Sequence, residues 1–263
     1  MTILEAALAS SLEGHGRVVG IAGEPGIGKS RLCHEFVQRC RDRGVSVYEA
    51  RGVSHGKAIP FLPTLELFRN FFAITERDAD PGAREKIAGR LLLLDEALRD
   101  GLALIFDFLG VPEAQSRVAT LDPESRQRQL FSIIKRVVQA RSRREPELML
   151  LEDLQWFDGG SDSVLEVLVE AVVGTRTLLL ANFRPEYHAG WMERSDYQQL
   201  SLRPLSADAI TELLGDLLGT DASLGELGEC MRERTGGNPF FIEEIVQALA
   251  DAGSLVGTKG PID

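Results

Sequence analysis

The amino-acid sequence predicts an α/β fold: a parallel sheet flanked by helices, with a helical insertion and a C-terminal helical lid. Two patterns predict the sheet. Short apolar runs alternate with stretches of helical spacing, and the runs at 148–151 (L-M-L-L) and 177–181 (T-L-L-L-A) are continuously apolar rather than alternating. Such runs suit strands covered on both faces, the condition of a parallel sheet. A third observation places the first strand. Residues 17–22 (R-V-V-G-I-A) lead through a glycine-rich turn into a helix carrying Leu32, Phe36 and Val37.

Each further element follows from spacing and punctuation. Residues 45–50, after the Gly44 stop, are a second short strand candidate. From 59 to 144 apolar residues recur at three and four, as in Leu65, Phe68 and Phe72, then Ile87, Leu91, Leu94 and Leu98, then Leu130, Ile133, Ile134 and Val137. This stretch reads as a helical insertion. Asp122-Pro123-Glu124 marks a helix start within it, aspartate capping and proline in the first helical position. A helix is expected from about 161 to 173, and 200–202 is the last strand candidate. From 206 onward the pattern is helical only, through Ile210, Leu213, Leu214 and Leu217. Asn238-Pro239 then opens a final helix carrying Phe241, Ile245, Val246 and Leu249, closed near Gly253. The chain is therefore divided into a core at 1–203, which contains the insertion, and a lid at 204–252.

Composition narrows the function classes. At 263 residues, 44% hydrophobic and 26% charged, the chain can bury a real core. A net charge of −11 opposes a surface built for nucleic-acid phosphates, so no direct nucleic-acid contact is expected of this segment. The first residues lack the basic start and long apolar stretch of a secretory signal, and no apolar run approaches the roughly 18 residues of a membrane span. A cytoplasmic location and no membrane partner are expected. The three cysteines (Cys33, Cys40, Cys230) and four histidines (His15, His34, His55, His188) lack metal-ligand spacing. Cys33 and Cys40 fall on one predicted helix about 10 Å apart along its axis, too far for a disulfide.

The chemistry is concentrated in a few strings. Gly23-Glu24-Pro25-Gly26-Ile27-Gly28-Lys29-Ser30, followed by Arg31, has the spacing G-x-x-x-x-G-K-[ST] between a strand and a helix. Its glycines let successive backbone N–H groups converge on a phosphate, where side chains would obstruct. Lys29 is expected to reach the β- and γ-phosphates and the Ser30 hydroxyl to ligate Mg²⁺, with the positive helix end holding the anion. The expected ligands are ATP or ADP with Mg²⁺, and the expected activity is slow hydrolysis. Such a site needs carboxylates at a neighbouring strand end, to hold the metal shell and to orient or deprotonate water. The string L-M-L-L-E-D supplies Glu152 and Asp153, and the sequence leaves open which takes which role. After the next strand, in A-N-F-R-P-E, Arg184 is favoured as a sensor of the γ-phosphate, with Asn182 its competitor. Arg126, Arg128, Arg143 and Arg144 are candidates for an arginine finger acting in trans, which would accompany nucleotide-dependent self-association. Arginines on a helix face are usually solvated.

Taken together, G-E-P-G-I-G-K-S-R-L, K-A-I-P-F-L-P at 57–63, L-L-E-D-L-Q-W-F-D at 150–158, N-F-R-P-E-Y at 182–187 and R-T-G-G-N-P-F-F-I-E-E at 234–244 resemble the ATPase module of STAND-type signalling proteins. The module most similar is that found beside class III adenylate/guanylate cyclase or protein kinase domains. The resemblance implies a P-loop core, a helical insertion, a helical lid and then a winged helix, of which 253–263 would be the start. It also implies an effector domain in the same full-length chain. LuxR-type transcription regulators share a similar module, and a non-hydrolysing nucleotide-binding scaffold is a further alternative. In such proteins the lid's Gly-x-Pro turn meets the nucleotide, which carries over to Gly237, Asn238 and Pro239. Two departures stand out. The V-G-R-E-like opening that helps to hold adenine is expected upstream of this sequence, and Gln155 stands where histidine is commoner.

Overall fold

The computed structural model describes residues 1–54, 59–114, 118, 121–219 and 224–254. His55, Lys57 and the expected winged-helix start from 255 onward lie outside these. The sheet has five strands, β1 (Arg17–Ala22), β2 (Ser46–Arg51), β3 (Glu147–Glu152), β4 (Thr177–Phe183) and β5 (Tyr197–Ser201), in the order β2-β3-β4-β1-β5. It is a parallel sheet flanked by helices, as the apolar runs require. Ser46 lies opposite Glu147 on β2 and β3, and Leu148 opposite Leu178 on β3 and β4. Every residue of the central strand β4 is buried, Asn182 included. β5 starts three residues earlier than the expected 200–202. It is an edge strand of half-exposed residues, so burial imposes no clear apolar pattern on it.

Helices α1 (Thr2–Leu12), α2 (Lys29–Asp42) and α7 (Gly159–Val172) accompany the sheet, and α3 (Leu62–Phe72), α4 (Asp80–Leu94), α5 (Leu102–Phe108) and α6 (Pro123–Arg144) form the insertion. α1 is an addition to the sequence reading. It buries Leu4, Ala7, Leu8 and Ser11, spaced three, four and seven, and the Ser11 hydroxyl donates to the Ala7 carbonyl. The buried stripe of α2 is Cys33, Phe36, Val37 and Cys40, so both cysteines are core residues. α6 begins as its sequence predicts, Asp122 accepting the Ser125 N–H at 2.9 Å with Pro123 first in the helix. Of the candidate finger arginines, Arg126 pairs with Asp107, Arg128 donates to Ser125 and Arg144 to the Leu93 carbonyl.

β3 opens on a buried carboxyl. Glu147 Oε1 accepts from Thr177 Oγ1 at 3.0 Å, while Oε2 is buried with no hydrogen-bond partner among the described residues. Burial pushes the Glu147 carboxyl up to about 7, against the pull of Thr177, Arg141 and Arg90 and with a small push from Glu145. Arg141 is itself committed elsewhere, donating to Ser46, Tyr48 and Glu145.

After β5 come α8 (Ala207–Leu218), α9 (Leu224–Thr235) and α10 (Pro239–Asp251). Ile210, Leu214, Met231, Ile242 and Val246 form their own small core, with Ile245 and Leu249 partly buried against it. Phe241, expected on the apolar face, is half-exposed, and its neighbour Ile242 takes the buried position. The chain falls into two compact units. Met1–Ile21 with Leu32–Leu200 is one, and Ala22–Arg31 with the residues from Ser201 onward is the other.

Candidate functional site

In the smaller unit the glycine-rich turn runs from β1 into α2. Gly26 and Gly28 have φ of +78° and +99°, a backbone region that side-chain-bearing residues rarely adopt. The Ile27 N–H donates to the Glu24 carbonyl at 3.3 Å, which curls the chain over Pro25 and Gly26. Lys29 is a buried residue, 8% exposed, and its ammonium donates to the carbonyls of Gly23 at 2.7 Å and Glu24 at 3.0 Å, so its charge is held against the loop. Ser30 and Arg31 lie in the first turn of α2, and Arg31 is 3.7 Å from Glu243 on α10. Pro239 is the first residue of α10, capped by Asn238, which also donates to the Pro25 carbonyl at 2.9 Å. Loop residues from Gly23 to Arg31 and the Gly237-Asn238-Pro239 turn are thus parts of one compact unit.

In the larger unit the ends of β3 and β4 carry a polar network. Asn182, fully buried on β4, accepts the Asp153 N–H at 2.9 Å and donates through Nδ2 to Glu152 Oε2 at 2.9 Å. Because an N–H can only donate and a carboxylate only accept, these partners fix the orientation of the amide. Asp153 has φ 58° and ψ 48°, a left-handed conformation that costs a non-glycine residue about 1 kcal/mol and persists where surroundings hold it. Its carboxylate is held from both sides. Oδ2 accepts from Arg51 Nε at 3.0 Å and Oδ1 from Gln155 Nε2 at 3.1 Å. Gln155 Oε1 in turn accepts the Arg184 N–H at 3.2 Å. The glutamine standing in place of the commoner histidine therefore links Asp153 to the chain after β4.

The two sensor candidates separate. Asn182 lies between the two acids, while the Arg184 guanidinium lies 5.3 Å from the centre of the Trp156 ring and 4.0 Å from Glu186. Arg51 escaped the sequence reading. Its one signal was a basic residue directly after a strand candidate, and only the register that pairs Arg51 with Glu152 brings it to the acids.

The residues present fit a nucleoside triphosphate with Mg²⁺. In the smaller unit a turn with two positive-φ glycines leads into a helix with the buried Lys29 on the loop, which suits phosphates, and the Ser30 hydroxyl there is a hard oxygen donor; in the larger unit the Glu152 and Asp153 carboxylates are, by themselves, donors of the same hard kind. Among the described residues no helix is long and apolar enough to cross a membrane.

Comparison with known proteins agrees with this chemistry. Residues 1–180 match the AAA ATPase domain family, and residues 206–255 match a domain of unknown function, DUF8739. An uncharacterized protein, R02095, of Rhizobium meliloti (strain 1021) is 29% identical over 241 residues, which are 90% of this chain and 23% of the relative. The chain thus spans about a quarter of that protein's length. Among solved structures, Drosophila ORC bound to DNA matches over 97% of this chain and 55% of its own, with a TM-score of 0.55 and 14% identity. That likeness is one of fold. A Signal Transduction ATPase with Numerous Domains (STAND) protein with a tetratricopeptide repeat sensor, from Pyrococcus horikoshii, matches over 90% of this chain and 28% of its own, with a TM-score of 0.46 and 13% identity.

Proposed function

Since the chain belongs to the AAA ATPase domain family, we propose that it is a cytoplasmic regulatory switch that binds ATP with Mg²⁺, hydrolyses it slowly and signals through α8–α10. The backbone N–H groups of Gly23, Glu24, Gly26, Ile27, Gly28, Lys29, Ser30 and Arg31 cradle the phosphates, Pro25 shapes the turn without donating, and the Lys29 ammonium turns from the loop carbonyls to the β- and γ-phosphates. Mg²⁺, when bound, would supply positive charge that offsets that of the phosphates. Ser30 and Glu152 are assigned to its shell. Asp153 orients and deprotonates the attacking water, and Pro239 offers a rigid apolar face to the base or ribose.

The observation that carries the switch reading is the partition of the chain. Ala22–Arg31 forms a compact unit with the residues from Ser201 onward, so whatever occupies the loop acts on a body that includes α8–α10. An effector domain elsewhere in the full-length protein, of cyclase or kinase type, reads the state of those helices, and hydrolysis to ADP resets it. The test is ATP affinity and phosphate release for wild type and Lys29→Ala. Losing a charge-assisted interaction with phosphate weakens binding about tenfold or more. Equal ATP affinity in the two proteins would sink the assignment.

A further inference from the structure

A loop that points its N–H groups at a phosphate must turn its carbonyls elsewhere, and each carbonyl then needs a partner of its own. At the outer turn of this loop the partners come from α10. Asn238 Nδ2 donates to the Pro25 carbonyl at 2.9 Å, and the Phe240 N–H donates to the Gly26 carbonyl at 3.3 Å. The same Phe240 N–H also reaches Asn238 Oδ1 at 3.1 Å, so one side chain caps α10 with its oxygen and ties the loop with its nitrogen.

The fit is close. A Cβ at Gly26 would lie 2.8 Å from Phe240 Cβ and 2.9 Å from Asn238 Oδ1. The phosphate-binding spacing G-x-x-x-x-G-K-[ST] leaves position 26 unrestricted. Glycine there answers to the helix start that packs on it as well as to its φ of +78°. The turn before Asn238 is anchored too, by the Leu205 N–H donating to the Gly237 carbonyl at 2.8 Å.

We infer that Asn238 is a positioning residue of the phosphate loop: by holding the Pro25 carbonyl away from the phosphates while capping α10, it makes loop and helix start move together when nucleotide binds. The inference rests on the nucleotide-binding reading of the loop. It assigns the coupling to one hydrogen-bonding side chain, outside the loop motif and distinct from Pro239.

Asn238→Ser separates the two roles, because serine caps a helix as asparagine does but is too short to reach the Pro25 carbonyl as well, and it adds no charge beside the phosphates. The expected result is a melting temperature within about 2 °C of wild type. KM and the ATP dissociation constant should rise about five- to tenfold, as for one lost hydrogen bond, with kcat nearly unchanged. In wild type, ATP should alter amide-hydrogen exchange at residues 239–244, and in Asn238→Ser that response should fade at saturating ATP. Wild-type ATP affinity in Asn238→Ser, or an unaltered α10 response, overturns the inference and leaves Asn238 a helix cap. So does the absence of any α10 response in wild type, a measurement that needs no variant. Failure of wild type to bind ATP, matching Lys29→Ala, overturns the nucleotide reading together with this inference.

Discussion

Replacing Glu147 by glutamine is expected to change how stability depends on pH, by an amount the burial of the carboxyl sets. In the folded chain Glu147 is 1% exposed, with one oxygen on Thr177 and the other lacking a hydrogen-bond partner among the described residues. Its carboxyl is pushed from 4.5 up to about 7, first by burial, so the folded state holds a proton through a pH range in which the unfolded chain has released it. Stability therefore falls as pH rises from about 4.5 to about 7, by about 1.4 kcal/mol per pH unit at most, and levels off above. Below about 4.5 both states are protonated and the effect vanishes. Glutamine keeps the shape and the acceptor for Thr177 but does not titrate. Between pH 5 and pH 8 the stability of Glu147→Gln relative to wild type should rise by about 2–3 kcal/mol, whatever the constant offset from its new amide hydrogens. Urea unfolding followed by tryptophan fluorescence is the assay. Trp156 and Trp191, the chain's two tryptophans, both lie in the unit that contains Glu147. Parallel pH profiles for the two proteins would refute the reasoning, because they would mean that Glu147 ionises in the folded state as freely as in the unfolded chain.

Asn182→Ala should cost about 1–3 kcal/mol in the same urea assay, because it strands the Asp153 N–H and removes a donor from Glu152. If the acids act as proposed, phosphate release should fall far more than ATP affinity, and intact turnover would count against the network's role. Asp158→Ala removes the cap of α7, whose carboxylate accepts from Gly160, Ser161 and the Phe61 N–H, and should cost about 1–2 kcal/mol in thermal melting near neutral pH. Burial opposes the ionised form of Asp158, but these hydrogen bonds outweigh it and hold the carboxyl below its ordinary 3.8. Its stabilisation is therefore present above about pH 4 and lost as pH falls further, so the gap between Asp158→Ala and wild type should narrow at low pH.

Several parts of the fold were legible because they depend on neighbours along the chain. The runs L-M-L-L and T-L-L-L-A became β3 and β4 because a strand covered on both faces tolerates little but apolar side chains. Asp122-Pro123 and Asn238-Pro239 opened α6 and α10 because a cap and a proline meet needs local to the first helical turn. α1 was harder to read, since Ala7 and Ser11 are small residues that mark a buried stripe weakly. β5 was displaced because an edge strand need not bury either face.

The sequence by itself determined the glycine-rich loop with Lys29 and Ser30, the acidic strand end at Glu152 and Asp153, and the alternation of elements that makes an α/β sheet. Spacing along one backbone is enough to specify these. Only the tertiary structure decided which side chains meet those groups. β2–β3 register brings Arg51 to Asp153 across 102 residues, and the neighbouring central strand β4 sets Asn182 between the acids, with Arg184 over Trp156. The start of α10 meets the glycine-rich loop across 213 residues, which makes Gly26 and Asn238 neighbours. Hydrogen bonds and close packing act over about 3 Å in space, and local spacing cannot say which distant segments the fold will bring within that range.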